Sequence, residues 1–351
     1  MHRRCVLTNE TPCGRRSPAG FVSLRELCVL VALIAGMAYG FDRLQRGIEH
    51  ARPRDFDSLP TVHHLMVDDA TRALWVICRH DGIARYSLPD LEKLDFVPLE
   101  QGLSNAALSP FSPQPVFASS NLEGLIEIHV DGRRMVEVFS APTPQHRGAL
   151  PHGAVAISRD GRVIVAATSD DALHRWRRDE EELQYDRQKP GVILERIELH
   201  PAGRLLAVLS DRTHVGVWNL DERAWQCAWE LEHPFCSGLA WSPDGSQLAS
   251  IGCDAHVCLW DARRGELLWK QAGDGLDPAG VAFSPCGHWL ATGGFDKRVR
   301  LWDARRGTLV WERPGHARAP RVFAWSGDSR TLYSSGLDGC IRTWDVPAAT
   351  P

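Results

Sequence analysis

The chain has no basic excess: 40 Lys and Arg stand against 44 Asp and Glu, a formal net charge of -4. A nucleic-acid binder needs a strong positive footprint, so that partner class is set aside. The short patterns that mark common catalytic centres are missing as well. There is no G-x-S-x-G elbow, no Walker-type phosphate loop and no H-E-x-x-H helix, so no catalytic residue, cofactor or small-molecule substrate is implied. The ten Cys lack the dense spacing of a disulfide scaffold, and Cys253 and Cys258 miss the two-residue gap of a zinc knuckle. They read as small buried hydrophobes. After residue 60 no stretch carries a sustained 3.6-residue apolar period, which excludes a helical repeat.

What remains is the composition of a folded protein: 351 residues, 44% hydrophobic and 24% charged, enough for one large repeat domain or two ordinary ones. The thirteen Trp are unusual. Trp176, Trp218, Trp260, Trp302 and Trp344 recur every 42 residues, and Ser158, His200, Ser242, Ser284 and Ser326 do the same. Two columns with one period mark a repeat architecture, and the period suits four short strands per propeller blade.

One unit shows the strands directly. Gly238 to Trp241 is β-prone, Ser242-Pro243-Asp244-Gly245 is a turn, and Gln247 to Ile251 resumes the apolar run. Gly252-Cys253-Asp254 turns again, His256 to Trp260 alternates, and Asp261 to Gly265 leads into a fourth strand. Trp302-Asp303-Ala304-Arg305-Arg306-Gly307 repeats Trp260-Asp261-Ala262-Arg263-Arg264-Gly265. Upstream the pattern weakens: His129 and Tyr86 take the Trp place. Seven units are predicted, beginning near residues 61, 105, 153, 193, 236, 278 and 320.

These residues, over about 60 to 347, resemble the WD-repeat family. The resemblance implies an all-β, seven-bladed propeller with a central channel, used as a non-enzymatic surface for binding other proteins. It also implies a buried hydrogen-bonded set in each well-kept blade: a His of the entry loop, a Ser or Thr of the second strand, an Asp of the next turn, and the Trp. His233, Ser250, Asp254 and Trp260 match in the fifth unit, and His316, Ser334, Asp338 and Trp344 in the seventh. The sixth keeps Thr292, Asp296 and Trp302 without a His, and the fourth has Arg212 where the Asp would stand. Such a set is structural, because polar groups that satisfy one another avoid the cost of burial alone.

The N-terminal part reads differently. Residues 1–20 form a tail, and Leu27 to Phe41 carry no charge, with Arg3, Arg4, Arg15, Arg16 and Arg25 ahead of them. Extended back to Phe21, the segment 21–41 is long enough for one transmembrane signal-anchor helix if Arg25 and Glu26 lie at the interface. The competing reading is a cleaved signal peptide and a secreted propeller, since Gly36-Met37-Ala38 supplies a small-x-small pattern. A single-pass membrane protein with its propeller outside the cytoplasm is the favoured expectation, although Arg residues on both sides leave the orientation weakly biased.

The seventh unit ends after three strands, so residues 42–60 are read as a linker whose stretch 47–56 either completes the last blade or is unstructured. A protein partner, its identity open, is expected at the entry loops and second turns, where Phe235, Phe295, Arg212 and Arg318 are candidate anchors. His214 and His256 occupy equivalent turns, but Arg298 and Cys340 fill the same column, so solvated turns explain them better than a metal site. An enzymatic or ligand-binding use of the channel is the alternative function. The apolar first strands, such as Leu239-Ala240-Trp241, speak against it.

Overall fold

The structure is a computed structural model that describes residues 62–348, except 70, 79–81, 99–102, 110–115, 122–124, 131–132, 140–154, 169–170, 179–182, 234 and 274–277. Among the described residues all regular structure is β, in antiparallel sheets that follow one another along the chain. Their first strands are Val62–Asp68, Leu103–Ser109, Val155–Ile157, Arg196–Leu199, Cys236–Trp241, Pro278–Phe283 and Pro320–Trp325. Each first strand touches the next, and the last returns to Val62–Asp68, so the sheets form a ring.

Six of these sheets are complete four-stranded blades, and the last has three strands, Pro320–Trp325, Thr331–Gly336 and Ile341–Asp345. The expectation of seven blades is corrected to that extent: six are complete, because no described segment pairs with the outer side of Ile341–Asp345. Residues 47–56, assigned to that position from sequence, lie outside the described residues, as does the 21–41 segment. Among the described residues no helix is long and apolar enough to cross a membrane.

Blade 5 shows why these residues make these elements. Its strands are Cys236–Trp241, Gln247–Gly252, His256–Asp261 and Glu266–Ala272. In the first turn the Ser242 hydroxyl donates to Asp244 Oδ1 at 2.6 Å and accepts the Gln247 N–H at 2.9 Å. Ser158 and Ser326 make the same pair of bonds, to Asp160 with Val163 and to Asp328 with Thr331. The recurring serine is thus a side-chain clamp on a hairpin, a local bond that favours turns. Gly245 has φ +69°, and a Cβ there would meet the His200 ring of blade 4, so only glycine fits. In the third turn Asp261 Oδ1 accepts the N–H groups of Arg263 and Arg264, and Asp303 does the same for Arg305 and Arg306.

The core lies between blades. Leu248, Cys258 and Trp260 of blade 5 pack with Leu209 and Val217 of blade 4, while Ile251 and Leu259 pack with Leu290 and Trp302 of blade 6. Middle strands are therefore buried on both faces and read as apolar runs, whereas the outer strand Glu266–Ala272 is largely exposed. Each fully buried Leu or Ile contributes about 1.5–3 kcal/mol. At the seam Ala324, Tyr333 and Ile341 of the three-stranded sheet join Val62, Leu74 and Tyr86 of the first blade. Asp69 Oδ2 also accepts the Gly327 N–H at 2.7 Å.

Two outer tryptophans, Trp229 and Trp269, reach forward to the next blade. Trp269 donates to Ala304 O at 2.8 Å, and a Cβ on Gly307 would lie 2.8 Å from its ring. Trp229 covers Gly265 in the same manner. The glycine of each Trp-Asp-Ala-Arg-Arg-Gly turn is the seat of a neighbour's indole.

Candidate functional site

Two complete polar sets lie inside the ring. In blade 5 His233 Nδ1 is 2.7 Å from Asp254 Oδ1, its Nε2 is 2.9 Å from Ser250 Oγ, and Ser250 Oγ accepts the Trp260 N–H at 2.8 Å. In the last sheet His316 Nδ1 is 3.0 Å from Asp338 Oδ2, its Nε2 is 2.7 Å from Ser334 Oγ, and Ser334 accepts the Trp344 N–H at 2.8 Å. Both imidazoles have no exposed side-chain surface. Asp338 also accepts the Ala317 N–H at 2.8 Å, which fixes the entry loop to the second turn.

Burial holds the His233 ring below the ordinary histidine range even though Asp254 pulls the other way. A neutral ring fits the geometry: Nδ1–H donates to the carboxylate, and Nε2 accepts the serine O–H. Burial alone would raise the Asp338 carboxyl, but the hydrogen bond and charge of His316, with two backbone N–H groups, bring it down to about 2. Asp254 is lowered in the same way, burial opposing and His233 prevailing. A histidine, a hydroxyl and a carboxylate in line resemble a hydrolytic triad, but here the hydroxyl is buried under an indole. Ser250 and Ser334 are 0% exposed and meet no solvent.

The other blades depart from this plan. In blade 6 Trp302 donates to Thr292 Oγ1 at 2.9 Å, and Asp296, with no histidine to hold, binds Arg300 at 2.5 Å. Arg300 also reaches Glu312 at 3.1 Å. In blade 4 the hydroxyl position is Val208, and Trp218 donates at 2.7 Å to Gln188 Oε1 on the outer strand of blade 3. Gln188 in turn donates to Leu220 O and Asp186, and Asp186 chelates Arg175 at 2.8 and 3.0 Å. Arg175 extends to Asp221 at 2.8 Å, and Arg177 binds the same carboxylate. Sequence reading missed Gln188, Arg175 and Arg300. Neither Gln188 nor Arg175 belongs to a repeated column, and Arg300, which recurs at the 42-residue interval only as Arg342, was signalled by Asp296 lacking its histidine.

The entry loops and second turns share one end of the ring, because the first strand begins where the second ends, as in the Pro320–Gly336 pairing. Arg212 and Phe235 come together there: the guanidinium lies 6.0 Å from the ring centroid and is 3.6 Å from Glu195 Oε1. Phe235 is accordingly half-buried. Phe295 is 36% exposed on the second turn of blade 6, with Arg321 over its ring at 5.7 Å. Arg318 is exposed on the entry loop of the last sheet. The two pairs lie on different blade junctions, and Arg321 was not among the sequence candidates.

In the first strands Ala156, Ala240, Ala282 and Ala324 occupy one column in which Glu198 is the charged member, 3.7 Å from Arg196. His256 turns to Asp254, at 3.1 Å, rather than to His214. Among the described residues no three His, Cys, Asp or Glu side chains are grouped to hold a metal ion.

A ring of antiparallel blades pinned by indoles is a β-propeller arrangement. Residues 225–261, 277–303 and 307–345 match the family described as WD domain, G-beta repeat. Among characterised relatives, Coronin-7 of Bos taurus is 30% identical over 157 residues, covering 42% of this chain and 17% of that protein. The chain therefore matches a small part of that relative's length.

Proposed function

We propose that the chain is a non-enzymatic scaffold that binds proteins through the loop end of its propeller and is held at a membrane by residues 21–41. The observation that carries the scaffold reading is the fate of its reactive groups. The histidines, hydroxyls and carboxylates of the two polar sets are spent on one another inside the blades, while aromatic and Arg side chains are presented at the loop end. Exposed aromatic and Arg residues are the usual anchors of protein interfaces. The match to WD repeats supports the same reading. Against the channel alternative, the first-strand residues Ala156, Ala282 and Ala324 pack in the apolar clusters between blades, and Glu198 is paired with Arg196 at 3.7 Å.

The test is a photo-crosslinking residue placed at Phe295 in the full chain in cells, with a second placed at Arg263 on the opposite end. A discrete adduct from the first position and none from the second is expected. No discrete adduct from the first would sink the scaffold reading. The tether rests on the uncharged Leu27–Phe41 run. Resistance of the chain to alkaline carbonate extraction is its expected signature, and protease sensitivity of the propeller in intact cells tests the extracytoplasmic placement.

A further inference from the structure

Among the described residues at the junction between blade 6 and the last sheet, positive side chains (Lys297, Arg298, Arg300, Arg318 and Arg321) outnumber the carboxylates. Three carboxylates of the described residues lie there, and each is engaged. Asp296 binds Arg300, whose side chain is 7% exposed; Asp338, 4% exposed, holds His316 and the Ala317 N–H; and Glu312 binds Arg298 at 2.8 Å. Lys297 and Arg318 remain, both exposed, one beside Phe295 in the second turn and the other on the facing entry loop. Phe295 keeps an open edge under the Arg321 guanidinium. Lys297 has φ +67°, a left-handed conformation that costs a non-glycine residue energy, and the turn keeps a cation there nonetheless.

We infer that this junction is a docking site for an acidic protein segment that brings an apolar or aromatic side chain flanked by Asp or Glu. This rests on the scaffold reading and sharpens it by naming the chemistry of the partner. The apolar side chain packs on the open edge of Phe295, and the flanking carboxylates meet Lys297 and Arg318. A carboxylate forms charge-assisted bonds with Arg, and charge complementarity of this kind sets partner choice and encounter rate. The third turns at the opposite end also carry exposed Arg263 and Arg305, but no exposed aromatic ring is placed between them.

The test is fluorescence anisotropy of the full chain with a fluorescein-labelled acidic peptide, Asp and Glu around one central Phe. Binding that weakens with added salt is expected, because exposed charges are screened. The double variant K297E/R318E should weaken it at least about tenfold, and F295A should weaken it as well. A peptide with Asn and Gln in place of the acids should not bind, and R263E/R305E should bind like the parent chain. Thermal melts of all variants establish that they are folded.

Three results would overturn the inference: no binding by the parent chain, equal binding by folded K297E/R318E, or charge-reversal-sensitive binding of phosphatidylserine vesicles without binding of the peptide. The scaffold reading fails separately. If the crosslinked adduct at Phe295 persists in K297E/R318E, the scaffold stands and the acidic-segment assignment falls.

Discussion

Blade 4 and the last sheet fix their inner tryptophans in opposite ways. The last sheet is self-contained: Trp344, Ser334, His316 and Asp338 all come from one repeat. Blade 4 has lost its hydroxyl to Val208, and Trp218 is held by Gln188 of blade 3, itself braced by Asp186 and Arg175. A buried indole N–H needs an acceptor, but nothing requires that the acceptor belong to its own blade. The price of the second solution is that blades 3 and 4 become one mechanical unit. The last sheet has the reverse weakness, a complete polar set and an outer strand that no described segment pairs with.

Five experiments break or sharpen this contrast. The largest effect is expected from deleting residues 43–58: if residues 47–56 complete the last sheet, the thermal midpoint falls by several degrees, as loss of a paired edge strand predicts. An unchanged midpoint would show that three strands suffice and would remove the closure proposal. Next, Asp338→Ala leaves a buried imidazole and the Ala317 N–H without their acceptor, with an expected loss of about 2–4 kcal/mol in denaturant unfolding. Gln188→Ala strips the Trp218 N–H of its acceptor and should cost about 1–3 kcal/mol. Combined, the two substitutions should add, since they lie in separate blades and share no partner. A strong coupling between them would mean that the ring unfolds as one body.

The smallest effect is the pH dependence. The Asp338 carboxyl, at about 2, lies below its unfolded value near 3.9, so the folded state binds fewer protons and the bond to His316 stabilises it above that value. That stability is lost as pH falls from about 4 through 2. His233, lowered by burial, adds a loss that begins higher, as pH falls below the ordinary histidine value of about 6.5. Asp338→Asn should flatten the acid limb of the stability curve between about pH 4 and 2. An unchanged limb would show that other carboxylates govern it.

These contrasts also mark how far the sequence could be read. The Trp and Ser columns located the strands closely: units expected near 236, 278 and 320 begin at Cys236, Pro278 and Pro320. They do so because each column does a job within its own repeat, a hairpin clamp or an indole beside a hydroxyl. The four residues of each polar set were grouped by the resemblance to the WD-repeat family, and their bonds too lie within one repeat. Such a reading could not reach Gln188, which lies 30 residues before Trp218 on another blade's outer strand, or Arg175, whose partners Asp186 and Asp221 flank a seam. Spacing within a repeat encodes bonds within a blade. Bonds between blades depend on which side chains the ring brings face to face. The loop-end candidates were legible only as residue types: Arg212 and Phe235 cover each other, whereas Phe295 lies under Arg321, a partner that no motif announced.

The forward reach of Trp229 and Trp269 gives this part of the ring a direction. Trp229 sits on Gly265 and Trp269 on Gly307, each indole resting on the repeat that follows it in the chain. During synthesis such a wedge leaves its largest apolar ring bare until its successor has been made and has turned its glycine toward it. Blades 4 and 5 are in this way each capped by the blade that follows. The first and last wedges meet instead through Asp69, Gly327 and a shared apolar cluster. That joint alone is closed by non-covalent contacts and not by a connecting loop of the described chain.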